Sequence, residues 1–274
     1  GKKGLFIAGI SFIFPAVFIT AILGYLYVLY GALPQVKPFI KGIQPAVMAI
    51  IASAVIKLGK KAVKNWELAL LGTLFLAASL LGINQIVLLL GGGIAGMCLF
   101  LIQSKIQHTT PLFAPPFMVF IISEIGTKLS AMGIFLKFLK VGSILYGSGY
   151  VLFAYLETEL VTNALLSQTQ LIEAIGIGQF TPGPVLSTAT FIGYQLGGFW
   201  GAIAATAGIF MPSFLFVWLL NPLIPKMRKS KVLGYFLDSI NVAAVAIMLA
   251  VLITMSQQTL VDWQTALIAV LSGV

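Results

Sequence analysis

Residues 173–212 read EAIGIGQFTPGPVLSTATFIGYQLGGFWGAIAATAGIFMP, and the run Thr181-Pro182-Gly183-Pro184 inside it interrupts an otherwise helical, apolar pattern. Pro182 and Pro184 donate no backbone hydrogen bond, and Gly183 between them admits torsion angles closed to other residues. One helical piece must therefore end near Phe180. A second starts at about Pro184, since proline is tolerated in a first helical turn. That start presents unpaired N–H groups and the positive end of a helix dipole, followed within two turns by the hydroxyls of Ser187, Thr188 and Thr190. Such an end suits an oxyanion. The competing reading is a proline kink with small residues for close helix contact. The two stand level, because Gln179, Thr181, Thr188 and Thr190 cluster around the break.

Composition fixes the surroundings. Of 274 residues, 59% are hydrophobic and 8% charged, with mean hydropathy +1.07. Soluble domains carry about 25% charged residues, so this chain cannot coat a water-facing surface. Apolar runs of membrane-spanning length recur, and the weak alternation of a lipid-facing barrel is absent. The fold class expected is an all-α polytopic transmembrane bundle. Spans are expected near 5–30, 38–57, 66–83, 86–103, 112–126, 132–156, 199–222, 235–256 and 263–274. Residues 171–197 are either one broken span or a re-entrant hairpin. No cleavable signal peptide is visible, and the absence of an initiating Met suggests that the start is missing.

An internal repeat organises these spans. At an offset of 197, Gly4 meets Gly201, Pro15 meets Pro212, Phe39 meets Phe236, Gln44 meets Asn241, and Asn65-Trp66 meets Asp262-Trp263. Equal repeats would place roughly seventy further residues before Gly1. The first copy has the basic loop Lys57 to Lys64, whose counterpart Thr254 to Val261 has no basic residue. The second has Lys226 to Lys231, whose counterpart Leu29 to Pro34 has none. If both basic loops are cytoplasmic, the copies are inverted, with broken helices between. Residues 1–77 then form the tail of a first repeat, 78–127 a transmembrane connector (104–116 holding its prolines), and 128–274 a second repeat.

A second break lies at Tyr146-Gly147-Ser148-Gly149-Tyr150. It reads either as a half-site facing the first or as a small-residue packing groove. Gly91-Gly92-Gly93 with Gly96 reads as packing. Lys137 and Lys140 read as snorkelling residues, although they could attract an anion. Ser167 and Gln170 form a capping box, placing Glu173 about a turn and a half inside the next helix. Intramembrane acids default to functional candidates, so Glu173 and Asp238 are the candidates for proton coupling. Single residues Cys98 and His108 exclude an internal disulfide and a histidine metal cluster. No nucleophile–base set points to an enzyme, and no cofactor is called for. The +9 balance reports cytoplasmic loops rather than nucleic acid.

Four elements together resemble the chromate transporter (CHR) family: Leu145 to Val151, Gly178 to Val185, Ala189 to Tyr194 and Gly208 to Phe214. The match to the family's C-terminal half runs from about Phe135 onward, and Gly1 to Leu71 looks like the tail of its N-terminal half. The resemblance implies a multi-pass bacterial inner-membrane protein exporting chromate, with sulfate as a competing or exchanged anion. The family's N-half Phe-Gly-Gly-Pro and second Pro-Gly-Pro elements are not in this chain, so it is expected not to transport alone if both half-sites are needed. Tyr146, Gly147, Ser148, Gly149, Gln179, Thr181, Pro182, Gly183, Pro184, Thr188 and Thr190 are the expected substrate-binding residues. The expected partners are the bilayer and the anion. Transport of sulfate or another small anion, a subunit role and a homodimer stay open.

Overall fold

The computed structural model of the chain describes residues 2–103, 130–145, 149–221 and 230–273. The expected span at 112–126, the connector at 104–116 with His108, most of the basic loop at 226–231, and Tyr146, Gly147 and Ser148 lie outside the described residues. Every regular element among the described residues is helical. In chain order these are α1 (Lys2–Tyr30), α2 (Lys37–Ala62), α3 (Trp66–Leu80), α4 (Gln85–Gln103), α5 (Ala131–Ile144) and α6 (Val151–Leu156). A π turn, Glu157–Val161, follows α6. Then come α7 (Gln168–Gln179), α8 (Thr188–Leu220), α9 (Lys231–Thr259) and α10 (Trp263–Gly273).

Short polar side chains set several starts. Asn65 accepts from Leu68 N–H at 2.9 Å, Ser130 from Gly133 N–H at 3.2 Å and Ser230 from Leu233 N–H at 3.3 Å, each satisfying a first-turn donor. Lys60 and Lys61 occupy the last turn of α2, where cations complement the helix dipole.

Four stretches are long and apolar enough to cross a membrane: Gly4–Tyr30, Pro38–Ala62, Val185–Leu220 and Val232–Thr259. The protein is a multi-pass helical membrane bundle. The third stretch has 36 residues, which straight would reach about 54 Å, well beyond a hydrocarbon core of about 30 Å. It is not straight. Gly197 and Gly198 have non-helical torsions, Gly198 with φ +61, a left-handed conformation open to glycine. Beyond this turn the chain reverses: Thr190 and Thr206 share a 2.8 Å hydrogen bond, and the Gly193 and Gly201 backbones touch. Residues 199–220 alone make the crossing, about 33 Å long.

The segment before it is a re-entrant hairpin. Glu173 on α7 hydrogen-bonds Tyr27, and Phe191 on α8 stacks edge-on against the same Tyr27 at 5.2 Å. Gly183, between those two positions in sequence, lies against Ala16, three helical turns earlier in α1 and about 16 Å away along its axis. Both arms therefore sit at one end of α1 while their tip reaches its middle. Of the two forms left open for 171–197, the hairpin is found.

A second hairpin replaces an expected crossing. Residues 132–156 were expected as one broken span. Instead Lys140 on α5 forms an ion pair with Glu159 at 2.6 Å, which folds the chain back after residue 145. The physical reason is length: α5 has 14 residues and α6 only 6, so neither crosses alone. α5 runs alongside residues 199–220, with Ile134 against Gly197 and Gly201, and Gly142 against Ile209. Val151 to Leu156 are each 2% exposed or less, so this helix, apolar but for the Tyr155 hydroxyl, is the centre of the core.

The remaining helices form the flank. α1 runs antiparallel to residues 199–220, with Phe6 stacked on Phe214 at 5.5 Å. α3 packs on α9 and α10 on α2. Gly92, Gly93 and Gly96 lie against Ala243, Phe236 and Ser239, the packing role expected of that glycine run. Both hairpins enter from the end of the bundle opposite Lys57, Lys60, Lys61 and Lys64. Their placement is testable in a Cys98→Ser background. A membrane-impermeant maleimide is expected to label Gln35→Cys and Thr162→Cys from one side, and Lys60→Cys only from the other.

Candidate functional site

The α7 entrance is fixed by the expected capping box: Ser167 Oγ accepts from Gln170 N–H at 3.1 Å, and Gln170 Oε1 accepts from Ser167 N–H at 2.9 Å. The helix ends at Gln179, where Thr181 Oγ1 donates back to the Ile177 carbonyl at 3.1 Å. Gly183 then adopts φ +143, and a Cβ at this position would strike Ala16. Both facts require glycine here. Pro184 leads into a short 3-10 turn, Val185–Ser187, closed by Ser187 N–H to the Pro184 carbonyl at 2.9 Å. The regular helix starts at Thr188, one turn later than Pro184, because proline's extended ψ of 138° leaves no helical geometry at that residue.

The other tip adjoins this one. A Cβ on Gly149 would lie 3.4 Å from both Val185 and Leu186, so the two breaks meet near the middle of the bundle. Three buried polar atoms gather around the α7–α8 tip without a hydrogen-bond partner: Gln179 Nε2, Ser187 Oγ and Thr188 Oγ1. Ser187 and Thr188 are fully buried. Leaving such groups unpaired costs about 1–3 kcal/mol each, and buried orphans of this kind call for an explanation.

The expected residues divide accordingly. Gln179, Thr181, Pro182, Gly183, Pro184 and Thr188 are brought together, with Gly149 beside them. Thr190 is spent on Thr206, which itself donates to the Ala202 carbonyl at 2.6 Å, so its hydroxyl ties the second arm of the hairpin to the crossing segment 199–220. Glu173 is buried and accepts from Tyr27 Oη and, at 3.0 Å, from Gln44 Nε2, which ties the hairpin to α1 and α2. Asp238 lies elsewhere. Both its oxygens accept from Lys64 Nζ, at 2.7 and 2.8 Å, at the lysine end of the bundle.

Sequence reasoning noted the Ser187 hydroxyl beside the break without counting it among the binding residues, and passed over the Lys140–Glu159 pair. A lysine and a glutamate placed almost symmetrically about the Gly-Ser-Gly break were the available signal for the second. Tyr27 carried no signal, since nothing in sequence links it to residue 173.

Comparison with known proteins follows the same residues. The chromate transporter family profile matches residues 1–97 and 132–274. The chain belongs to the chromate transporter family. It is 30% identical to a chromate transport protein of Cupriavidus metallidurans, over 98% of this chain and 69% of that protein. It is 27% identical to a probable chromate transport protein of Synechococcus elongatus, over 99% and 71%. An uncharacterized transporter of the archaeon Methanocaldococcus jannaschii shares 24% identity over 96% and 69%. No solved structure matches the chain.

The orphaned donors set an expectation for stability. Thr188→Val and Ser187→Ala each remove a desolvated hydroxyl, and each is expected to raise the unfolding midpoint in detergent or leave it unchanged. A clear drop in the midpoint would mean that these hydroxyls have partners in the folded protein.

Proposed function

We propose that this chain is part of a membrane transporter that carries chromate, a tetrahedral dianion, out of the cytoplasm, with sulfate competing or exchanging for it. The observation that carries the proposal is the group of buried, unpartnered donors at the α7–α8 tip, in a member of a family whose relatives bear chromate transport names. A tetrahedral oxyanion presents acceptor oxygens in several directions, which suits hydroxyl, amide and backbone donors converging on one point. The binding residues assigned are Gln179, Thr181, Pro182, Gly183, Pro184 and Thr188, with Ser187 added. Tyr146, Gly147, Ser148 and Gly149 are assigned to the facing break, and Thr190 to its support.

Residues 1–77 and 128–274 are proposed as the tail of one repeat and the whole of another, inverted across the membrane and joined by 78–127. The antiparallel course of α1 and residues 199–220 supports this reading, as does the exchange in which α3 lies on α9 and α10 on α2. With Lys57 to Lys64 cytoplasmic by the positive-inside rule, the hairpins open toward the outer face of a bacterial inner membrane.

With the interior negative, moving two negative charges outward gains about 4.6 kcal/mol per 100 mV, at roughly 2.3 per charge. Export as uniport is thereby driven, whereas one-for-one exchange with sulfate moves no net charge and runs on the two anion gradients. Glu173 is the carboxylate assigned to any proton exchange during the cycle, because it is buried on a hairpin arm among neutral donors. Asp238, ion-paired with Lys64, is not assigned that role.

Everted inner-membrane vesicles carrying the full-length protein test the scheme. Chromate uptake above empty vesicles is expected, inhibited by sulfate and reduced at least about tenfold in Thr188→Val, the loss of one charge-assisted bond. Uptake that survives complete collapse of the potential with no counter-anion inside would overturn the driving force proposed. For Glu173→Gln, the pH dependence of uptake is expected to flatten. A profile identical to that of the native protein would remove the proton role.

A further inference from the structure

α1 and residues 199–220 are mates at the offset of 197, and they run antiparallel. The groove between them is lined by mate pairs: Ile13 with Phe210, Phe14 with Met211, and Val17 with Phe214. A two-fold axis between the helices produces this arrangement. It also requires that whatever covers one helix has a counterpart covering the other. At two places the burial of mates differs sharply.

The first is the face of residues 199–220 that α5 and the arm before Gly197 cover. Gly201 lies against Ile134 and Gly193, Ala205 against Gly193, and Gly208 against Phe135 and Leu139. All three are buried. Their mates Gly4, Ala8 and Ser11 are exposed, and a Cβ on Gly4 would meet nothing within 4 Å. The second is the face of α1 that the α7–α8 hairpin covers. Gly183 lies against Ala16 and Tyr194 against Gly24, with Thr20 between them fully buried. Their mates Ser213, Val217 and Asn221 are exposed, Val217 by 47%. Residues three or four apart share a helix face, so each set is a continuous stripe. Membrane helices use small and hydroxyl-bearing residues where another helix packs, yet Gly4, Ala8, Ser11 and Ser213 point outward.

We propose that these two stripes seat a second set of re-entrant helices, the mates of α5 and of the α7–α8 hairpin, carried on polypeptide that precedes Gly1. This rests on the inverted-repeat reading above and deepens it. The offset places that segment in the roughly seventy residues before Gly1. The chain covers 69% and 71% of two relatives, so those proteins have length enough to hold it. The second copy supplies the chemistry of the occupant: a helix like the 14-residue α5 along Gly4 to Ser11, and a glycine-bearing tip against Ser213. Because α1 and residues 199–220 are antiparallel, this set enters from the lysine end. The two tips then approach one pair of helices from opposite faces of the membrane.

Benzoylphenylalanine in place of Ser11 or Ser213 of the full-length protein, photoactivated in native membranes, captures whatever covers each stripe, and mass spectrometry of the adducts identifies it. Both positions are expected to link to peptides that precede Gly1. The same label at Ile22 or Leu219, mates that are exposed in both copies, is expected to capture phospholipid. Phospholipid adducts alone at Ser11 and Ser213 would overturn the proposal, as would links to residues 104–129 or to a second copy of the chain. The unfolding midpoint in detergent gives a readout without a bulky label. Ala8→Leu is expected to lower it as far as Ala205→Leu does, since each overpacks a filled contact, while Ile22→Leu leaves it unchanged. A native midpoint in Ala8→Leu beside a lowered one in Ala205→Leu would also overturn the proposal. The reading beneath it fails by a different result: labelling of Lys60→Cys and Ser230→Cys from opposite sides of the membrane would remove the inverted repeat itself.

Discussion

Backbone groups inside a bilayer have no water to turn to, so a helix can break at membrane depth only where other protein covers the break. That constraint organises this chain. Gly149 lies against the turn that follows Pro184, and the break at Pro182–Pro184 lies against α1, with Ala16 closing over Gly183 and Val185 beside Gly149. The long helices α1, α2, α9 and residues 199–220 form the frame that keeps lipid away from the breaks. The glycines along α5 and α8 let backbones approach closely enough for that frame to be tight.

Charge follows the same division. Lysines crowd one end of the bundle, where the chain leaves the membrane and Lys64 meets Asp238 half in solvent. Deeper groups have chosen partners: Glu173 with Tyr27 and Gln44, and Lys140 with Glu159. Each of these contacts joins two different segments of chain. The polar interior is therefore concentrated on the hairpins, the part of the fold that a substrate would meet. Among the described residues, buried polar atoms without a partner occur at the α7–α8 tip, on Gln179, Ser187 and Thr188, and also on Gln85, Tyr155, Gln195 and Ser239.

Much of this was legible from residue types alone. Composition and run length define a helical membrane protein, the Pro-Gly-Pro triplet defines a broken helix, and Ser167 with Gln170 marks where that helix begins. These are local signals, and local chemistry decides them. Reversal of direction is not local. A largely apolar run from 132 to 156 with one glycine break looks the same whether it crosses or folds back, and only the distant pairing of Lys140 with Glu159 separates the two. Likewise Thr190 resembled a free donor until the turn at Gly197–Gly198 carried Thr206 across to it. The 3-10 turn at Val185–Ser187 delays the regular helix to Thr188 and leaves Ser187, whose hydroxyl the sequence placed beside the break, at its threshold.

The burial of α6 bears on how such a protein comes to exist. Its six residues are sealed inside the bundle, and with the 14-residue α5 they are too short to be recognised as a crossing by the machinery that threads helices into membranes one at a time. The four long stretches can insert individually on their own hydrophobicity. The hairpins have no place to rest until those neighbours stand beside them, so biogenesis has an order: scaffold first, re-entrant elements afterward. Damage to a hairpin would then leave a chain that inserts normally and fails at the last stage of assembly.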